Sequence, residues 1–359
     1  MNYFRPLLKK KSKNGYPYRI FSQFDTSSIK NAILEGKRNN SLPRFVISKI
    51  EICPTSFCNY RCNFCYGKWL KPKSSSSHEL PIEIIENNLF LNLRKNKKFS
   101  GQDPIIVLGG LYSEPLSYSK IKSLIELLKK YQFRFAIYTN GYFLGQELQE
   151  LICESALKAD SSPSYISFNF TASFFNQDHQ KLIKKIKNLI KLRNKTNSSL
   201  KINIPILIPE QNKEFLKELK VIQNTLLKIK VDTIRYSLPQ KPINLEPSLQ
   251  SEINRGIKKL KELGGDKIYL RSPSKPFTHC FVMSMSSSIS PEGDVYPCSQ
   301  TCTLCFKKMS YGSIKRQKFS EIWRSKKHLE LFRNFSPQIE NCRCNVVDEQ
   351  FNRICANFY

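Results

Sequence analysis

The sequence predicts an α/β fold: a partial (β/α)6 barrel followed by a small C-terminal cysteine-rich domain containing a β-hairpin. Three observations predict it. From about residue 46, strand-like apolar runs alternate with helix-like segments six times. Each crossover is of helix length, which forces parallel pairing, and right-handed crossovers in one sheet curve it into an open barrel. After about residue 265 the alternation stops, and seven of the 12 cysteines follow. The expected division is an N-terminal extension over 1–45, the barrel over 46–264 and the cysteine-rich domain over 265–359.

VISKIEIC (46–53) reads as the first strand, and PIEIIENNLFLNLRKNKK (81–98) as a helix opened by Pro81, where a missing N–H costs nothing. PIIVLGG (104–110) and the helix SYSKIKSLIELLKKYQ (117–132) follow, then RFAIYTNG (134–141) and a helix around 144–158. SYISFNF (164–170) precedes HQKLIKKIKNLIKLRNK, in which Leu182, Ile183, Ile186, Leu189 and Ile190 make one apolar face and the lysines the other. LKINIPILIP (200–209), the helix NKEFLKELKVIQNTLLKIK (212–230) and DTIRYSL (232–238) close the series. In SSSISPEGDVYPCS, Pro-Glu-Gly-Asp marks a hairpin turn. SSSSHEL (74–80) is a polar linker, and no internal repeat is visible.

Composition narrows the class. No stretch approaches the ~20 apolar residues of a membrane span, and the N-terminus has no signal-like apolar core. A cytoplasmic, reducing address is expected, with no membrane partner. Cysteines in such a compartment serve as metal ligands or catalytic thiols rather than disulfides. Cys153, inside a helical pattern, reads as a buried thiol, and Cys53, ending the first strand, as packing. The formal charge of +29 admits a nucleic-acid partner, but the lysines are spread along solvated helix faces rather than gathered.

The remaining cysteines fall into two groups. CNYRCNFCYG places Cys58, Cys62 and Cys65 directly after strand one, with gaps of three and two residues. In a βα barrel that loop lies at the C-terminal ends of the strands, where such folds do chemistry. Three thiolates can hold three irons of a cubane [4Fe–4S] cluster and leave the fourth iron open to a chelating amine and carboxylate. The alternative is a zinc loop lacking a fourth ligand.

This loop in this context resembles the radical S-adenosylmethionine (radical SAM) family, whose aromatic residue before the last cysteine is matched by Phe64. GGLYSEPL resembles the family's Gly-Gly-Glu-Pro segment, which implies SAM contacts from Gly109, Gly110 and Glu114; here Leu111, Tyr112 and Ser113 intervene and offset the glutamate. By the same resemblance Asn140 in TNG, and Ser167 and Asn169 on strand four, are candidate cofactor contacts. The activity implied is reductive cleavage of SAM, with an electron from a flavodoxin- or ferredoxin-like donor. It yields a 5′-deoxyadenosyl radical that takes hydrogen from a substrate.

In the second group, Cys280, twelve residues, Gly293, four residues and Cys298 resemble the opening of the SPASM and twitch extensions, which carry auxiliary iron–sulfur clusters. YGSI (311–314) and FSEIW (319–323) resemble the segment that comes after that opening in such extensions. The later spacing departs from the pattern: Cys342, one residue, Cys344, ten residues, Cys355. CSQTCTLC adds Cys302 and Cys305 and repeats the gaps of the first loop, but without a barrel strand before it, so auxiliary ligation is the reading rather than a second SAM site. Seven cysteines are one short of two fully ligated cubanes, so one or two auxiliary clusters are expected. His279 is a bystander or a ligand, and a spare cysteine could donate hydrogen to a substrate radical. The resemblance implies an enzyme that matures a peptide or protein substrate, with no leader-binding domain ahead of the barrel. An RNA-modifying enzyme is the alternative, and a non-enzymatic electron-transfer protein a third reading.

Overall fold

Ten strands form one sheet in the order β10-β9-β8-β1-β2-β3-β4-β5-β6-β7. The computed structural model describes residues 26–62, 64–65, 78–110, 113–156, 163–207, 213–237, 268–271, 279–302, 304–336 and 346–359. The six predicted strands are β1 (Lys49–Ile52), β2 (Ile105–Leu108), β3 (Phe135–Thr139), β4 (Tyr165–Phe168), β5 (Lys201–Leu207) and β6 (Thr233–Ser237), each parallel to the next. Among the described residues no pairing joins the two ends of the sheet, so the barrel is open.

Side-chain alternation explains the layers. Ile50, Ile52, Ile106, Leu108, Ile137, Ile166, Ile202, Ile204 and Ile234 belong to the main core, which includes the helix residues Leu124, Leu128, Ile186 and Leu189. On the other face, Glu51, Tyr138, Tyr165, Ser167, Asn203 and Arg235 occupy the alternate register positions. Among the described residues only their small apolar neighbours Ile105, Val107 and Ala136 form a core there. The barrel therefore has an isoleucine exterior under helices and a largely polar interior.

Two features differ from the sequence reading. The alternation does not stop at 265: β7 (Ile268–Arg271) adds a seventh parallel strand beside β6. It is as short as β1, β2 and β4, but its run is bounded by Lys267 and Arg271 and lacks the longer apolar flanks that marked those strands. The hairpin is not separate from the barrel sheet either. Its first strand, β8 (Ser286–Ile289), runs parallel to β1, with Glu51 opposite Ser288. The second, β9 (Asp294–Tyr296), is antiparallel to β8, and β10 (Gly312–Ser313) completes the edge. Gly293 turns the hairpin at φ +86°, a conformation other residues resist.

The first crossover helix (Ile82–Ile84, Leu91–Lys95) contains a π-helical segment, Ile85–Phe90, and ends before the predicted 98. Asn96 leaves helical geometry and its side chain accepts the Lys98 N–H. This helix carries the C-terminal segment: Asn88 Nδ2 donates to the Ile314 carbonyl at 2.7 Å, and Asn92 exchanges hydrogen bonds with Ser320. Gly312 is required here, because a Cβ would lie 2.7 Å from Ile322. A helix at Thr26–Arg38, within the expected N-terminal extension, supplies Ile29 and Ile33 to a second core with Phe45, Cys280, Met283, Cys302, Phe351 and Cys355.

Candidate functional site at the strand ends

The cysteine loop leaves the C-terminal end of β1. The Cys65 N–H donates to the Cys62 carbonyl at 3.0 Å, a turn that brings the second and third cysteines together. The Cys62 thiol is pushed up to about 11, first by burial and then by its neighbours Cys65 and Cys58. Asn176 Nδ2 stands 3.7 Å from its sulfur. Phe64 packs edge-on against Phe175, with ring centroids 5.7 Å apart. Among the described residues no three His, Cys, Asp or Glu side chains converge on a single metal ion. A cubane takes one thiolate per iron, so its ligands stand apart. The Cys65 and Cys58 sulfurs stand close enough to Cys62 to act on its thiol, an arrangement that fits such a cluster.

Around this loop the strand ends form a tied network. Glu114 is buried, and its carboxylate accepts the Thr139 hydroxyl, the Asn140 N–H and the Leu116 N–H. Burial raises its pKa to about 7, against the pull of those three donors and of Lys185. Asn140 Nδ2 then donates to Asn59 Oδ1 at 2.9 Å, inside the cysteine loop. Glu114 thus holds the end of β3 against the segment after β2, and Asn140 passes that restraint to the loop. On the same rim Tyr60 donates to Asp178 Oδ2 at 2.8 Å, and Lys185 Nζ donates to the Gly141 and Tyr142 carbonyls. Tyr60, Asn140, Tyr142, Asp178 and Lys185 line one cleft.

The predicted contacts divide by what they touch. Gly109 faces the interior beside Glu51, whose Oε1 would lie 3.2 Å from any Cβ there. Gly110, at φ +146°, allows close packing, since a Cβ there would lie within 2.5 Å of the Cys53 sulfur and closer still to the Ser113 hydroxyl. Ser167 is buried on the interior face, and among the described residues its hydroxyl has no hydrogen-bond partner. Asn169 is exposed and caps the helix Phe170–Phe175 through the Ala172 N–H. Glu51, Asn59 and Lys185 escaped sequence reasoning, and Thr139 was visible only as part of the TNG segment; the inward parity of Glu51 on strand one was a further legible signal.

In the C-terminal region Cys280, Cys302 and Cys355 are buried in the second core, and Cys298 is half-buried. The Cys302 thiol is held well above its usual value by burial, followed by Cys53, Glu51, Glu292 and Cys298. Cys305 lies on the short helix Leu304–Met309, its side chain outside the described residues, as are Cys342 and Cys344 altogether. His279 packs on Tyr359 and Phe281. Among the described residues no helix is long and apolar enough to cross a membrane.

Comparison with known proteins agrees with this geometry. Residues 52–221 match the model of the Radical SAM superfamily, and residues 280–345 that of SPASM, an iron–sulfur cluster-binding domain. The chain is 23% identical over 301 residues to the tungsten-containing aldehyde ferredoxin oxidoreductase cofactor-modifying protein of Pyrococcus furiosus, covering 76% of this chain and 80% of that one. It is 30% identical over 107 residues to an S-adenosylmethionine-dependent nucleotide dehydratase of Psychrobacter lutiphocae, covering 28% and 35%. The chain spans about a third of the length of two of the curated relatives it matches, 32% and 35%. Among solved structures, Streptococcus suis SuiB bound to S-adenosylmethionine superposes with a TM-score of 0.59 at 14% identity, covering 85% of this chain and 72% of that one. A crystal structure of SuiB bound to its precursor peptide SuiA gives 0.58, covering 85% and 70%.

Proposed function

The chain belongs to the radical SAM superfamily and carries a SPASM domain, so its cofactors are a [4Fe–4S] cluster, SAM and auxiliary iron–sulfur clusters; from that premise we propose that it is a maturase acting on a peptide or protein. Cys58, Cys62 and Cys65 would hold the SAM-cleaving cluster, and Cys280, Cys298, Cys302, Cys305, Cys342, Cys344 and Cys355 are the candidate auxiliary ligands. When bound, the first cluster supplies the electron that cleaves SAM to methionine and a 5′-deoxyadenosyl radical.

The chain's own residues position and shield. Gly109 and Gly110 would offer the cofactor backbone groups beside Glu51 and Cys53, and the unpartnered Ser167 hydroxyl would offer it a hydrogen bond. Glu114 and Asn140 fix the rim on which that cofactor rests. The observation that carries the substrate class is the open sheet with a polar interior, which gives an extended chain a way in. That SuiB, a protein of the same fold, has been crystallised with a precursor peptide supports this reading. A flavodoxin- or ferredoxin-like protein is the proposed electron donor, and RNA is the second substrate reading, favoured by the charge of +29.

The test is deuterium transfer. Reduced, cluster-loaded protein is incubated with SAM and side-chain-deuterated candidate peptides. Peptide-dependent deuterium in 5′-deoxyadenosine is expected. Transfer from RNA and from no peptide would reverse the assignment.

A further inference from the structure

We propose that Cys53, at the end of β1, is a thiolate ligand of an auxiliary iron–sulfur cluster, reaching it from the barrel side. This rests on the reading of the C-terminal cysteines as auxiliary ligands. Two fully ligated cubanes take eight thiolates, and the C-terminal region has seven. Outside it and the SAM loop, the chain has two further cysteines, Cys53 and Cys153. Cys153 is in the wrong place: it lies on the helix Gln146–Ser155, in the helix-side core, with Arg193 as its strongest charged neighbour.

Cys53 is in the right one. Its N–H donates to the Ile289 carbonyl at 2.9 Å, where β8 ends and the hairpin that leads to Cys298 and Cys302 begins. The charged groups that act on the Cys302 thiol are Cys53, Glu51, Glu292 and Cys298, in that order. All are acids or thiols. These thiols and carboxylates, with Lys49 Nζ 3.8 Å from Glu51, gather where the ends of β1 and β8 meet, a donor set suited to bound iron.

A second observation points the same way. Ser288, opposite Glu51 on β8, is buried, and among the described residues its hydroxyl has no hydrogen-bond partner. A thiolate or sulfide in that interior would give it an acceptor, as the outer hydrogen bonds of metal sites do. The present partners of the Cys53 sulfur, the Ser113 hydroxyl at 3.1 Å and the Thr55 carbonyl at 3.4 Å, allow the change. Ser113 would donate to the thiolate, while the weak bond to Thr55 would be given up.

The test uses the full-length chain with Cys58, Cys62 and Cys65 all changed to Ala, so that the iron left is auxiliary. After anaerobic reconstitution, iron, sulfide and the electron paramagnetic resonance of the reduced protein are measured. Adding Cys53→Ala should lower iron and sulfide, by up to about half where two cubanes are present, and should remove or shift one cluster signal. Cys53→Ser should shift that signal while holding more iron, because an alkoxide replaces the thiolate. Cys153→Ala should match the triple-alanine parent. A folded Cys53→Ala protein with the parent's iron and spectrum would overturn the proposal, and should that variant not fold, an unshifted Cys53→Ser spectrum would do so. A parent without iron would instead remove the auxiliary-ligand reading itself.

Discussion

The backbone N–H of Asn140 donates to Glu114 Oε2 at 2.7 Å, joining strand-end segments 26 residues apart. The bond ties a buried carboxylate, raised to about 7, to a residue that in turn holds the cysteine loop. Because the folded chain binds this proton more tightly than the unfolded one, the stability it contributes is complete below about pH 4.5 and is lost as pH rises through 7. Glu114→Gln removes the titration. The stability of the parent relative to the variant, read from thermal melts, should fall between pH 4.5 and 7, by on the order of 1 kcal/mol per pH unit at most. A constant difference across that range would show that Glu114 does not titrate there.

His328 should show the opposite slope. It is fully buried, stacked on Tyr311 at 4.1 Å, with Nδ1 accepting the Arg324 N–H and Nε2 facing the Met283 carbonyl. Burial depresses its pKa to about 3. Its neutral ring stabilises the fold above the ordinary value of 6.5, and that contribution is lost as pH falls toward 3. Replacement by Gln should cost roughly 1–3 kcal/mol at about pH 7 through the stranded donor and acceptor, and the variant should resist acid relatively better than the parent. Thermal melts from about pH 3 to about pH 8 check both signs.

Changing Cys58, Cys62 and Cys65 together to Ala should abolish 5′-deoxyadenosine formation while iron remains in the C-terminal region. Chromatographic assay of the nucleoside and iron analysis of the same sample decide it. Continued 5′-deoxyadenosine production would show the cleavage site to be elsewhere.

The charge of +29 makes a prediction through salt. An acidic peptide steered by dispersed lysines should bind more weakly as salt rises, but with a shallow dependence. An RNA substrate should give a log-affinity slope of roughly one unit per phosphate contact. Titrating bulk tRNA and acidic peptides across a salt series separates them. Steep tRNA binding coupled to stimulated SAM cleavage would overturn the peptide reading.

Much of this was legible in the sequence, for identifiable reasons. The six strands show because each buries an isoleucine-rich face, and the Cys58–Cys65 spacing shows because ligands from one loop stay close in sequence. Strand β7, bounded by Lys267 and Arg271, lacks the apolar flanks that exposed the equally short β1, β2 and β4. The parallel pairing of β8 with β1 leaves no local trace, since Glu51 and Ser288 meet only through tertiary structure. Glu114 stood out from its Gly-Gly context, but its bond to Thr139 could not be read, because a buried carboxylate takes its donors from wherever the fold supplies them. The Gly in YGSI was legible as a motif, and its cause, contact with Ile322, became visible only with the packing.

The pairing of β1 with β8 has a consequence for biosynthesis. The Ser48 hydroxyl bonds to the Met285 carbonyl across 237 residues of chain, beside a ladder of the same span. Contacts of such long range close late and slow folding. While the chain emerges from the ribosome, β1 can pair on its β2 side but presents a bare edge on the other until the hairpin is synthesised, a template for pairing with the wrong chain. The strand that leads into the SAM-cluster loop is thus enclosed last. Expression should then favour slow translation or low temperature, and truncation before residue 286 should give aggregates rather than a free-standing barrel.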